Sequence, residues 1–333
     1  MYTLEVVIKP SELQLLLNKF SSFEILYPIF SDHIIMKGKP NTNDGYLLDV
    51  NDVNLNHVFK CDRNIKSEIP DQSDLLECLL ASSCIHYNNL IQFKNKCDHY
   101  GDLHKKIYFA ADTNIFYHRF ISRSLISDSK IVCPPTVRDE IQLKVNDKYS
   151  RQDIRRLKSN LDNNEHLFNE LNNRRIKDSR KAAYFAKLEY KKINKILTDE
   201  VDIEINNYKD YDLKIVKELK NFEFQTRSSI ILLTADRSII DYCDLDNLGY
   251  FLFDYPSEID NIHSSPSQLR ELLFNLSCSF GFIKINNVII FGEFSGKHAA
   301  DELKLKFLNA SLFEDFKKDL RICRRLGNLK IDF

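Results

Sequence analysis

The chain has 333 residues, of which 43% are hydrophobic and 29% charged, with a formal net charge of −1. This is an ordinary globular composition; it excludes a disordered or low-complexity chain and leaves room for two or three cores. No apolar run approaches the roughly 20 residues a membrane-crossing helix needs, so no membrane partner is expected. The opening MYTLEVVIKPSELQLLL has no basic start followed by a long apolar stretch, and the eight cysteines form no CxxC pair. Both features point to a cytoplasmic protein with free thiols.

Residues 1–100 read as a small α+β domain without a chemical signature. Leu4–Ile8 is a predicted strand, Pro10-Ser11-Glu12 opens a helix, and an apolar stretch runs through His33-Ile-Ile-Met36. Residues 39–75 are polar and loop-rich, Leu75–Lys94 has helical character, and Lys96–Lys106 is a charged linker. Cys84-x-His86 and Cys97-x-His99 could be drawn as zinc ligands, but residues two apart on a helix point to different sides.

From Ile107 the pattern alternates strand and helix. Ile107-Tyr-Phe-Ala-Ala111 is a short apolar run that stops at Asp112, as expected for a strand covered on both faces of a parallel sheet. Ile115–Ile126 has helical spacing, and Lys130–Cys133 is a second strand stopped by Pro134-Pro135. Thr136 stands as an N-cap with Asp139 three residues on, which puts Glu140 in the first turns of the next helix. Further on, Asp210 and Asp212 open another helix; Asp210 caps it and Asp212 falls in its first turn. Ser229-Ile-Ile-Leu-Leu233 is the most strand-like run, ending in Thr234-Ala-Asp236; helix 237–246 and strand Tyr250–Phe253 close the unit. The first strand and the Ser229 strand can be neighbours, with Asp112 and Asp236 straddling the point where strand order reverses.

Charge is unevenly spread. Residues 148–195 hold fourteen Lys or Arg against six acids, a net +8 that leaves the remainder at −9. Ile154, Leu157, Leu161, Phe168 and Leu171 form one heptad-like stripe, and Ala183, Ala186, Tyr190, Ile193 and Leu197 form another. The two are expected to meet as the seam of an antiparallel helical hairpin, inserted at 147–200, with arms of about 20 residues reaching roughly 30 Å. The exposed bases would include Arg151, Arg155, Arg156, Lys158, Arg174, Arg175, Lys177, Arg180 and Lys181, a surface suited to a polyanion such as RNA. A solvated helical face is the plainer reading of the same charges.

Residues 262–333 read as a C-terminal α+β region. A helix follows Ser265-Pro266, a hairpin turns at Asn286-Asn287, and two more helices follow, the last carrying Lys317, Lys318, Arg321, Arg324 and Arg325. Eight glycines in the whole chain, with no GxGxxG or GxxxxGK[ST], argue against a nucleotide-binding loop.

Four acids, Asp112, Glu140, Asp212 and Asp236, are thus predicted near one end of a parallel sheet. Carboxylates gathered without a cation resist joint ionisation, and a divalent ion removes that penalty. Hard oxygen ligands point to Mg²⁺ or Mn²⁺, one or two ions, able to activate a water and neutralise a leaving oxygen.

The hydrophobic strand into Asp112-Thr113-Asn114, the Pro-Pro-Thr-Val-Arg-Asp-Glu140 helix start, Asp212-Leu-Lys-Ile-Val and Ile-Leu-Leu-Thr234-Ala-Asp236 together resemble the PIN-domain nucleases over about 107–256. The resemblance implies a PIN-like α/β fold, with a parallel sheet flanked by helices. It also implies metal-dependent endoribonuclease activity with these four acids as the metal site. Thr113 or Asn114, and Thr234, would then orient the acids or a metal-bound water. Asp241 is a further candidate acid, and Asp210 competes with Asp212 for the third position. The basic insertion is similar to the helical projection of small protein-only RNase P enzymes, which suggests tRNA 5′ processing as a narrower variant; that group has nothing like residues 1–106. The competing reading is a PIN-like RNA-binding or scaffold protein without chemistry, forming a homo-oligomer through the hairpin. A HAD-type phosphatase would place a second aspartate where Asn114 stands.

Overall fold

The structure, a computed structural model, describes residues 4–29, 34–41, 45–50, 66–101, 106–124, 126, 130–160, 164–203, 208–259 and 261–328. The chain forms two compact units. One comprises Met1–Cys84, Asp147–Arg180 and Ile259–Phe333, and the other Ile85–Asn146 and Lys181–Glu258. The strands in chain order are β1 (Glu5–Ile8), β2 (Phe23–Leu26), β3 (Ile34–Asn41), β4 (Gly45–Asp49), β5 (Ile107–Ala111), β6 (Ile131–Cys133) and β7 (Ile196–Leu197). They continue as β8 (Ser229–Thr234), β9 (Gly249–Leu252), β10 (Ile262–Ser264), β11 (Phe282–Ile285), β12 (Val288–Phe291) and β13 (Leu303–Phe307).

The first unit is built on an eight-stranded antiparallel sheet of order β1-β13-β12-β11-β2-β3-β4-β10. The N-terminal and C-terminal segments therefore share one sheet, where the sequence reading treats 1–100 and 262–333 apart. The expected hairpin at Asn286 is present, with Asn286 in the left-handed region (φ 47°). Helix Pro266–Phe280 starts on a capping box between Ser265 and Gln268 and ends at Gly281, whose φ of 86° suits a residue without Cβ. Its face from Leu269 to Phe280 is buried. One of the two terminal helices expected from sequence is instead strand β13; helix Ala310–Asn328 is the other. The predicted helix Leu75–Lys94 is also two helices, Gln72–Ala81 and Leu90–Gly101, parted after Ser82 where Ser83 takes φ 59°.

The basic segment does not form the expected pair of long arms. Helix Arg151–Ser159 has nine residues, and a 3-10 stretch follows at Glu165–Leu171. Ile154, Leu157, Leu167, Phe168 and Leu171 are buried, and Phe168 meets Phe282 of β11 edge-on at 5.5 Å. Leu161 lies outside the described residues. This stripe therefore packs within its own unit, helix Arg151–Ser159 against Glu165–Leu171, with Phe168 reaching β11. The Ala183–Ile193 stripe belongs to the other unit, where Ala182–Ala186 form a π-helical turn between two α-helical pieces and Tyr190 packs on Phe116.

The second unit is mixed α/β, a five-stranded parallel sheet flanked by helices. Its order, β7-β6-β5-β8-β9, is 3-2-1-4-5 when its strands are counted along the chain. β5 is buried at all five residues because β6 and β8 pair on its two edges and helices cover its faces. Strand order reverses between β5 and β8, and their register sets Ala111 opposite Leu233. Among the described residues, no helix is long and apolar enough to cross a membrane.

Candidate functional site

Asp112 and Asp236 follow the carboxyl ends of β5 and β8, the neighbouring strands on either side of the switch point. Ligands gather at this edge in open parallel sheets because loops diverge there. The Asp112 N–H donates to the Leu233 carbonyl at 3.1 Å, which carries the pairing one residue past the strand. The Asp112 side chain is 5% exposed. One of its oxygens caps helix Thr113–Tyr117 by accepting from the Ile115 N–H at 3.0 Å, and the other accepts from the hydroxyl of Thr234. Burial pushes the Asp112 carboxyl up to about 7. These two hydrogen bonds oppose the rise, and Asp236 and Asp212 add to it.

Thr234 is fully buried and also accepts from the Asp236 N–H at 2.9 Å. Asp236 in turn accepts from the Ser238 N–H at 2.8 Å, and the Ser238 hydroxyl donates to Asp212 at 3.1 Å. Asp212 projects from helix Tyr208–Thr226. Burial raises its carboxyl, the Ser238 bond opposes this, and Asp236 and Glu140 raise it further. Glu140 lies on helix Pro135–Lys144; one oxygen accepts from the Thr113 hydroxyl at 2.5 Å and the other from Lys144 at 2.9 Å. Three hydroxyls, on Thr113, Thr234 and Ser238, therefore donate to Glu140, Asp112 and Asp212, while the Asp236 carboxylate takes the Ser238 N–H. Ser238 is the member sequence reasoning missed. Its position two residues after Asp236, in an Asp-x-Ser turn, is the local signal that could have revealed it.

Other predicted residues fall elsewhere. Asn114 is half-buried and makes no side-chain hydrogen bond to a described residue. Asp241 is exposed on helix Ile240–Leu245, with no hydrogen bond to the four acids. The Asp210 side chain lies outside the described residues. Thr136 is not an N-cap: Pro134 holds that position, and the Thr136 N–H and hydroxyl both donate to Glu218, at 3.2 and 2.8 Å. Glu218 is fully buried and supplies from a neighbouring helix the acceptor that the helix start lacks.

The basic residues divide sharply. Arg151, Arg155 and Arg156 are exposed on their helix, while Lys158, Arg174, Arg175 and Lys181 are half-buried. Lys177 and Arg180 correct the expectation of phosphate contacts. Lys177 is buried and paired with Asp74 at 2.9 Å. Arg180 is 1% exposed and donates to the carbonyls of Cys278, Ser279 and Arg175 and to the Tyr149 hydroxyl, at 3.0 to 3.2 Å. All three of its nitrogens donate to protein acceptors and the side chain is buried, which places it out of reach of RNA.

Among the described residues, no three His, Cys, Asp or Glu side chains are placed closely enough to hold a metal ion. The donor set at the sheet edge nonetheless consists of carboxylate and hydroxyl oxygens, the chemistry that suits a hard dication. A cation there would draw on Asp112, Asp236, Asp212 and Glu140, displacing part of their present hydrogen bonding. A scan against protein families finds no match for this chain, and a comparison with curated proteins finds none.

Proposed function

We propose that the protein is a divalent-metal-dependent endoribonuclease of PIN-like architecture, with Asp112, Glu140, Asp212 and Asp236 as its metal-binding acids. The observation that carries this reading is the pairing of Asp112 and Asp236. They leave adjacent parallel strands at a 3-2-1-4-5 switch point, and one buried threonine between them bonds to both residues. The carboxyls of Asp112 and Asp212 are both pushed up, in part by neighbouring acids, a pattern that clusters at functional sites.

Mg²⁺ or Mn²⁺, when bound, supplies an activated water and charge neutralisation at the phosphate. The chain's own residues do the rest. Asp112 and Asp236 would hold the ion at the strand ends, Thr234 ties the Asp112 carboxylate to the Asp236 N–H, and the Ser238 hydroxyl donates to Asp212. Thr113 orients Glu140. The exposed Arg151, Arg155 and Arg156 offer charge to an RNA backbone, whose phosphates dominate nonspecific affinity.

The test is cleavage of mixed RNA and DNA substrates with Mn²⁺, with Mg²⁺ and with EDTA. Asp112→Asn and Asp236→Asn are expected to lower the Mn²⁺-dependent RNA rate at least a hundredfold while circular dichroism stays unchanged. Full activity in either folded variant would remove the acids from catalysis. RNA binding without cleavage in any metal would favour the scaffold reading.

A further inference from the structure

Glu68 ends a chain of hydrogen bonds that starts in the interior of the antiparallel unit. Arg180, 1% exposed, donates from Nη1 to the Tyr149 hydroxyl at 3.1 Å. A guanidinium cannot accept, so the tyrosine's own proton turns the other way, to Glu68 Oε2 at 2.5 Å. Burial pushes the Tyr149 hydroxyl up, which keeps that proton on the tyrosine. The Lys177 N–H donates to the same Oε2 at 3.1 Å. Two donors therefore fix which oxygen of the carboxylate faces the interior. The other, Oε1, accepts from no described residue and is not sealed from solvent.

Glu68 lines a cleft of about 360 Å³ together with the apolar Leu157 and Ile176 and the bases Lys148 and Arg156. That volume lies within the range of small-molecule sites. Lys148 and Arg156 are exposed and form no ion pair with a described residue. Of the other two acids on the cleft, Asp153 accepts from the N–H and hydroxyl of Ser150 at 2.8 and 2.7 Å, and Asp147 stays exposed next to Lys148. An oxygen open to a donor and two cations open to an anion thus border one space. A simple anion leaves Glu68 unanswered, and a simple cation leaves the two bases so. A nucleotide whose base carries an amino group brings both, a donor on the base and phosphates on either side. Arg151 and Arg155, exposed on the same helix as Arg156, continue the positive surface beyond the cleft, as a longer strand requires.

We propose that this cleft holds one nucleotide of a single-stranded RNA, with Glu68 Oε1 accepting from the amino group of cytosine, adenine or guanine and Lys148 and Arg156 on the flanking phosphates. The inference goes beyond the metal-dependent reading above: it uses none of the four acids and shares with that reading only the RNA partner. Cytosine and uracil differ at the position that decides it. Uracil sets a carbonyl oxygen where cytosine has its amine, and two acceptors then face each other with no proton between them.

The experiment is fluorescence anisotropy of labelled oligo(C) and oligo(U) of equal length with the full chain, in EDTA so that no strand is cut. The wild type is expected to bind oligo(C) about tenfold more tightly, the worth of one hydrogen bond to a charged group. Glu68→Gln should reverse the preference. The Tyr149 hydroxyl and the Lys177 N–H hold the amide oxygen in the place of Oε2, which puts the amide NH₂, a donor, in the place of Oε1. Arg156→Gln should weaken both oligonucleotides alike and leave the preference intact. Glu68→Asp, which withdraws the acceptor from the cleft and should abolish the preference, serves if Glu68→Gln does not fold. Equal binding of the two oligonucleotides by the wild type overturns the inference and leaves the acid site standing. So does a preference for oligo(C) that survives in folded Glu68→Gln. Binding of neither by the wild type overturns the inference together with the RNA partner proposed above.

Discussion

Arg180 and Asp112 are both charged residues withdrawn from water, one in each unit, and they are treated in opposite ways. Around Arg180 the antiparallel unit supplies three carbonyls and a tyrosine hydroxyl, so every nitrogen of the guanidinium meets an acceptor. Lys177 nearby is matched by Asp74 in the same manner. Around Asp112 the parallel unit supplies one N–H and one hydroxyl, then adds Asp236 and Asp212, which push its carboxyl further toward the neutral form. A charge that the fold completes is part of the fold's construction. A charge whose neighbours make it less comfortable marks a place where something outside the chain is expected.

That contrast gives the largest expected effect. Arg180→Ala should lose about 3–5 kcal/mol of stability in urea denaturation, since it orphans several buried acceptors and opens a cavity. Asp112→Asn, at nearly equal burial, should lose under about 1 kcal/mol, because it removes a like charge while its oxygen still caps the helix. Equal losses in the two variants would erase the distinction drawn between the units.

A second measurement asks whether the parallel unit keeps other titratable groups neutral. His118 is 3% exposed, accepts or donates to Tyr87 at 2.5 Å, and faces Tyr255 and the cation Lys181. Burial first, and Lys181 second, bring its pKa down to about 3, against an ordinary value near 6.5. The unfolded chain therefore takes up a proton that the folded chain refuses. This contribution to stability is complete above about pH 6.5 and is lost as pH falls toward 3, with a slope of at most about 1.4 kcal/mol per pH unit. His118→Gln should flatten that acid limb. An identical acid limb would show that His118 gains its proton before the protein unfolds.

The smallest effect concerns the exposed charges. Arg155→Gln with Arg156→Gln should weaken RNA binding and reduce the logarithmic salt slope by about 1.4, the value for two phosphate contacts on a single strand. An unchanged slope would remove helix Arg151–Ser159 from the RNA-facing surface.

Much of the parallel unit could be read directly from sequence, because its signals are local. The apolar runs at 107–111 and 229–234 stop at acids, and adjacency of the two strands follows from the handedness of crossovers. The basic segment was legible only in part. Heptad spacing at Ile154, Leu157 and Phe168 identifies buried residues without naming what covers them, and Phe168 meets Phe282 of β11, more than a hundred residues later. Counting Lys and Arg likewise cannot separate Arg155, in water, from Arg180, whose acceptors are carbonyls of Cys278 and Ser279. The Glu218 acceptor for Thr136 is hidden for the same reason, since a cap supplied by another helix leaves no mark near the helix it serves. Strand β13 did leave a mark: Leu303-Lys-Leu-Lys-Phe307 alternates with period two, and its Leu and Phe side are buried.

Strand β13 lies between β1 and β12, so β1 has its neighbour, among the described strands, in a segment far along the sequence. A ribosome would release residues 85–258, with every strand of the parallel sheet, while Glu5–Ile8 still waited unpaired. Such late, distant closure is slow and leaves an open strand edge to be guarded in the meantime. Removing Leu303–Phe307 should accordingly disturb Glu5–Ile8 as well.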